Sequence, residues 1–205
     1  MSQQSITLIR NEGVLPLSMK AGDKVLLISA YDNELTAMKW ATRRLVDEGA
    51  IESVEISTYC YGNKDGIDDD LANMINEADG AVLVSEISAA FRLEAGQWYS
   101  DMPLIILDAL NERGVPATVM SIYLPADVAL YDEAKAILCC YNPTGMPNSA
   151  TDDPSIAYGP GIPAAMDVIF GVAEAGGKLP VPVYEIDARR RITDTMAYPV
   201  GYSWE

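Results

Sequence analysis

Glutamates, aspartates and tyrosines stand where the apolar runs of this chain give out, and they are its best candidates for chemistry. Glu86 follows the run 80–85, with Glu94 further along the same segment, and Tyr123 and Asp127 follow the run 115–122. Carboxyl groups placed this way can do acid–base work or bind hydroxyls, and tyrosines can flank a ligand. The plainer alternative for Glu86 is a solvated carboxylate at a strand end. The rest of the inventory is short. The 205 residues contain no histidine, which excludes histidine triads, histidine metal sites and histidine acid–base catalysis within this chain. Cys60, Cys139 and Cys140 have no ligand spacing. The last two are adjacent in an apolar run, so as strand residues they face opposite ways and read as core thiols rather than a metal claw. No metal or other cofactor is expected.

Three further features carry weaker signals. Gly159-Pro160-Gly161-Ile162-Pro163-Ala164 fits a G-x-G-x-x-A pattern, but it follows a polar loop and its prolines lack the N–H groups that would hold a pyrophosphate. Asp152-Asp153 lies in a proline-rich loop and reads as solvated. Arg189-Arg190-Arg191 is a basic run in an acidic protein and is expected to pair with the protein body.

The elements that must position the strand-end residues follow from periodicity. Apolar runs at 24–30, 52–59, 80–85, 115–123 and 136–141 read as strands, with a last one at 179–183. Between them lie helical patterns. One runs from a cap at Asn33 through Leu35, Met38, Ala41 and Leu45 to Gly49. Others cover 68–78, 98–113 (with Pro103 in its first turn), part of 125–135, and 164–172. The segment 142–163 is a loop rich in Pro, Gly, Asn, Ser and Asp. Alternating strands and helices imply an α/β fold, a mainly parallel sheet sandwiched between helices in three layers. In such a sheet ligands bind outside the carboxyl ends of the strands. That directs attention to 31–33, 86–97, 123–127 and the loop after Tyr141.

Composition agrees with one globular domain spanning 1–205. Apolar residues make up 49% and charged residues 21%, an ordinary balance for a packed core. The formal charge of −16 repels nucleic acid and anionic membranes. No apolar run is long enough to insert in a membrane, and residues 1–4 have no signal-peptide character.

Three segments give a family resemblance. Gly176-Gly177-Lys178-Leu179-Pro180-Val181, after Ile169-Phe170-Gly171, is followed by Tyr198-Pro199-Val200-Gly201-Tyr202. Near the start stands Ser5-Ile6-Thr7-Leu8-Ile9-Arg10-Asn11-Glu12, followed by Leu15-Pro16-Leu17. In this order they resemble the C-terminal domain of glycoside hydrolase family 3. The middle segment, Val119-Met120-Ser121 through Pro125-Ala126-Asp127, is similar to the bacterial two-domain β-N-acetylglucosaminidase branch, as are Tyr131 to Ala136 and Ile162-Pro163-Ala164. The resemblance implies the C-terminal part of a longer retaining glycosidase. An N-terminal barrel would be its partner and an amino-sugar glycoside its substrate. In that branch the catalytic residues belong to the barrel, so this chain would be inactive alone, with Glu94, Tyr123 and Asp127 at the substrate rim. Trp98, Tyr99, Tyr123 and Tyr158 would form an apolar patch toward the barrel. Val82-Leu83-Val84-Ser85-Glu86 also resembles the β-glucosidase branch, whose corresponding loop carries a general acid; Ser85 and Ile87 to Ala90 depart from that motif. Glu86 would be the acid in that alternative. The other alternative is a stand-alone carbohydrate- or protein-binding module.

Overall fold

The structure, a computed structural model, describes residues 3–141 and 160–204. Asp152-Asp153, Tyr158 and Gly159 lie outside the described residues.

Among the described residues, eight strands and four α-helices are formed. In chain order they are β1 Thr7–Asn11, β2 Lys24–Ser29, α1 Asp32–Asp47, β3 Glu55–Cys60, α2 Asp69–Glu77, β4 Gly80–Ser85, α3 Trp98–Arg113, β5 Ala117–Ser121, β6 Ala136–Cys139, α4 Gly161–Ile169, β7 Val183–Ile186 and β8 Ile192–Tyr198. The first six strands make one sheet in the order β1-β6-β5-β4-β2-β3, parallel except for β1, which runs antiparallel to β6. β7 and β8 form a separate antiparallel hairpin.

Strand periodicity divides the core into two layers. Leu26, Ile28, Leu83, Val119, Ile137 and Cys139 face α2, α3 and the hairpin. Val25, Leu27, Val82, Val84, Met120, Leu138 and Cys140 face α1 and α4. This is the expected three-layer sandwich, and adjacent Cys139 and Cys140 do point into opposite layers. β4 is buried along its whole length, as its unbroken apolar run requires.

Helix ends follow local chemistry, with some departures from expectation. Asp68 caps α2 by accepting from the Leu71 N–H at 2.9 Å. Gly114, at φ 70°, closes α3 in the left-handed conformation. α1 begins at Asp32, so its N-cap residue is Tyr31 rather than Asn33, and no side chain caps it. Because α3 begins at Trp98, Pro103 falls in the second turn, and the helix loses the bond its N–H would have made. α4 starts three residues earlier than periodicity suggests and ends at Ile169.

One correction concerns the C-terminal segment. Residues 179–182 are not a strand; Leu179 instead exchanges backbone bonds with the segment 201–202 at 2.8–2.9 Å, and the strand begins at Val183. Gly171, at φ 75°, follows the end of α4 in the left-handed conformation. Gly177 serves a different need. Its N–H donates to the Ile6 carbonyl at 2.9 Å, and a Cβ there would lie 2.5 Å from the Ser5 carbonyl oxygen. Both atoms are backbone, so neither can move alone. Gly177→Ala should therefore cost at least about 1–3 kcal/mol, whereas Gly66→Ala, with open space around it, should change stability by less than about 0.5 kcal/mol. Urea unfolding of the two variants measures the difference.

Candidate functional site

The sheet order contains one topological switch. From β2 the chain crosses outward to β3, then back past β2 to β4, so β2 lies between them. A crevice opens where such connections diverge, at the carboxyl ends of β2 and β4. Three carboxyl side chains are gathered along this edge. Glu34, Glu86 and Asp127 have 2%, 3% and 0% of their surface exposed.

Glu34 sits in the first turn of α1, where its backbone N–H bonds to the Tyr31 carbonyl. Its carboxyl accepts from the Ser29 hydroxyl at the end of β2. Burial pushes its pKa up to about 8, with the Ser29 bond opposing and the Glu86 charge adding to the rise. At neutral pH this group is largely protonated and can itself donate a hydrogen bond.

Glu86 directly follows β4. Its carboxylate is ion-paired with Arg92, carried by the single 3-10 turn Ala90–Leu93. The guanidinium lies over the Tyr99 ring, 4.0 Å from its centroid. Tyr99 stacks on Trp98 at 3.7 Å, and Trp98 meets Tyr31 and Tyr61 edge-on at 6.2 and 6.1 Å. Burial raises the Glu86 pKa while Arg92 opposes the rise. Arg92 Nε is buried and has no hydrogen-bond partner among the described residues.

Asp127 lies beneath this surface. It accepts from Ser85 Oγ at 2.5 Å and Ser121 Oγ at 2.7 Å, and Tyr131 donates to Ser85 Oγ at 2.6 Å. Burial raises its pKa to about 7, against the two serine bonds. The network ties the ends of β4 and β5 to the 3-10 turn Pro125–Leu130.

These positions revise the sequence reading. Glu86 is not a solvated strand-end carboxylate: the turn after it folds back and places Arg92 against it. Asp127 is not at a rim, because the hydroxyls of Ser85 and Ser121 enclose it. Tyr123 is half-buried at the edge, where burial raises its pKa and the charges of Glu86 and Glu34 add to the rise. Glu94 is exposed in the Arg92 loop. Trp98, Tyr99 and Tyr123 are half-buried, and the exposed apolar side chains nearby in sequence are Phe91 and Leu124. Glu34 and Arg92 escaped the sequence reading. A glutamate in the first turn of a helix reads as a complement to the helix dipole, and one arginine in a loop carries no pattern. Of the basic run, Arg190 pairs with the body through Asp101, whereas Arg191 pairs with Asp187 within the hairpin.

Chemically, the edge offers an ion pair, a protonated carboxyl, several phenols and an indole. Such a set suits a hydroxyl-rich ligand, through hydrogen bonds to the polar groups and stacking on the rings. Among the described residues no cluster of His, Cys, Asp and Glu is arranged to hold a metal ion, and no helix is long and apolar enough to cross a membrane.

No protein-family model matches the sequence, and no curated protein is similar enough to stand as a relative. Similarity to solved structures is clear. A fungal multi-domain glycoside hydrolase family 3 (GH3) β-N-acetylglucosaminidase, described as having a GCN5-related glucosamine N-acetyltransferase region, matches 97% of this chain with a TM-score of 0.61 and 17% identity. A GH3 β-N-acetylglucosaminidase from Paenibacillus sp. str. FPU-7 matches 86% with a TM-score of 0.53 and 17% identity. The chain spans 19% and 30% of the lengths of these two proteins. It thus has the α/β fold of one region within much larger GH3 enzymes, the fold that its terminal motifs implied.

Proposed function

We propose that the chain is the C-terminal domain of a retaining glycoside hydrolase, a β-N-acetylglucosaminidase acting on amino-sugar glycosides, with a structural and site-rim role. The observation that carries this reading is the convergence of the family-like segments, which come from both ends of the chain and assemble into one unit. Gly177 donates to Ile6, Leu179 to Tyr202, the Trp204 N–H to Leu8, and the Tyr202 hydroxyl to the Ile9 carbonyl, all at 2.8–3.2 Å. Residues that resemble one family are thus spent on holding each other.

The antiparallel register of β1 supports the barrel as partner. Thr7 pairs with Cys139 at the carboxyl end of β6, so a domain preceding this one would join at the carboxyl edge of the sheet, the same edge that carries Glu86 at the end of β4. Phe91 and Leu124, 54% and 50% exposed, are suited to be covered there. Ser85 and the segment Ile87 to Ala90, which depart from the acid-bearing motif, favour this branch over the β-glucosidase one.

A retaining glycosidase needs two carboxyl groups flanking the scissile bond. The domain alone is expected not to hydrolyse aryl N-acetylglucosaminides, whereas a longer protein bearing a barrel of about 250 residues upstream is expected to do so. Turnover by the purified domain that scales with its concentration and disappears in Glu86→Gln would overturn the proposal and favour the β-glucosidase alternative. An upstream reading frame without a barrel would favour the stand-alone module.

A further inference from the structure

We propose that Arg190, at the tip of the β7–β8 hairpin, is a positioning residue for the Glu86–Arg92 pair. The inference rests on reading the carboxyl edge as the site. Arg190 is distant in sequence from that edge, yet the hairpin folds back so that its side chain meets the start of α3. It donates to Ser100 Oγ at 2.9 Å and forms an ion pair with Asp101. Both partners hold the loop that carries Arg92. Ser100 Oγ lies 3.2 Å from the Glu94 carbonyl oxygen, 3.3 Å from that of Gln97 and 3.4 Å from that of Leu93, and its single proton is shared among them. Asp101 accepts from the Gly96 N–H at 2.9 Å. Immediately before Ser100 in the chain stands the Trp98–Tyr99 stack, and the Arg92 guanidinium lies over the Tyr99 ring.

Arg190 therefore bears on the ion pair from one side, on the Arg92 loop through Ser100 and Asp101. The guanidinium is 21% exposed and the Asp101 carboxylate 30%, so a surface contact of ordinary worth is not the point; its leverage is geometric. Its neighbours in the turn behave differently. Arg191 bonds Asp187 at 2.9 and 3.1 Å, and Asp187 accepts the N–H groups of Arg189 and Arg191, all inside the hairpin. The basic run thus divides into residues that build the turn and one residue that reaches out of it.

The test is hydrogen–deuterium exchange on the purified domain, with near-UV circular dichroism reporting the Trp98–Tyr99 stack. In Arg190→Met, amides of residues 93–97 should exchange at least about tenfold faster and the aromatic signal should fall, while β2 and β4 stay as protected as in the wild type. Arg190→Lys should restore part of both. Arg191→Met should loosen the hairpin alone. The proposal is overturned if Arg190→Met leaves the 93–97 amides within about twofold of wild type, well under the loss of one charged hydrogen bond, or if Arg191→Met disturbs them equally. Should Arg190→Met fail to fold, Ser100→Ala must reproduce the local loosening, and an unchanged loop there refutes the proposal. None of these readouts requires a sugar, so failure of the glycosidase reading would leave them where they are.

Discussion

Arg92→Met should lower the stability of the domain by roughly 3–5 kcal/mol at pH 8 and by clearly less at pH 5. The loss comes from Glu86. With Arg92 in place, a carboxylate that is 3% exposed has a fixed countercharge. Without it, burial acts unopposed on the Glu86 pKa. The charged form is then disfavoured in the folded state and not in the unfolded one, so stability is lost as pH rises. At pH 5 much of Glu86 takes up a proton and escapes the penalty. The stacking of the guanidinium on Tyr99 is lost at both pH values and sets the residual effect. Glu86→Gln combined with Arg92→Met should recover most of the pH 8 deficit. Urea titrations of the two variants at both pH values decide the matter; equal losses at pH 5 and 8 would mean that Glu86 is not the cause.

The wild-type domain itself should be less stable at pH 8 than at pH 5.5. Glu34 and Asp127 both have folded pKa values raised by burial, to about 8 and about 7. A carboxyl group raised in the folded state binds its proton more tightly there than in the unfolded chain. Its contribution is complete below the unfolded pKa near 4 and drains away as pH climbs to the folded value. Exposed carboxylates are ionised in both states across this window and cancel. The groups facing Glu34 are Ser29, Glu86 and Arg92; those facing Asp127 are Ser85, Ser121, Tyr131 and Glu86. The lowered pKa values of Asp68 and Asp187 act below the window and do not offset the fall. The decline should be on the order of a few kcal/mol, and Glu34→Gln with Asp127→Asn should flatten it. A wild-type unfolding free energy constant from pH 5.5 to 8 would refute the assignment.

Local pattern made the centre of the fold legible. β4 falls on residues 80–85 because an unbroken apolar run has no other home than a strand covered on both faces. α3 ends where Gly114 takes a positive φ. The edges were less readable. β1 alternates only weakly, since Arg10 and Asn11 lie on an edge strand. β8 is mostly exposed and carries threonines and an aspartate, so its pairing with β7 leaves little hydrophobic signature. The site was half legible. Glu86, Tyr123 and Asp127 could be placed by the rule that strand ends face ligands, but their burial depended on Arg92, Ser85 and Ser121 closing over them from other segments. That closure is a property of three dimensions. No spacing in the sequence announces that a residue six positions on will fold back, or that a hairpin 90 residues beyond Ser100 will meet the start of α3.

The unit formed by the two chain ends has a consequence for the timing of folding. β1 is made well before β6, its sheet partner among the described residues, and the backbone of Trp204 reaches Leu8 only when nearly all of the described chain has emerged. During synthesis the parallel centre can assemble while the first strand waits, its N–H and C=O groups open to any passing chain. Such long-range pairing closes slowly, because the entropy of the large loop must be overcome before the contacts repay it. Emergence of β6 and of the segment around Trp204 thus ends the interval in which this edge is available for intermolecular pairing.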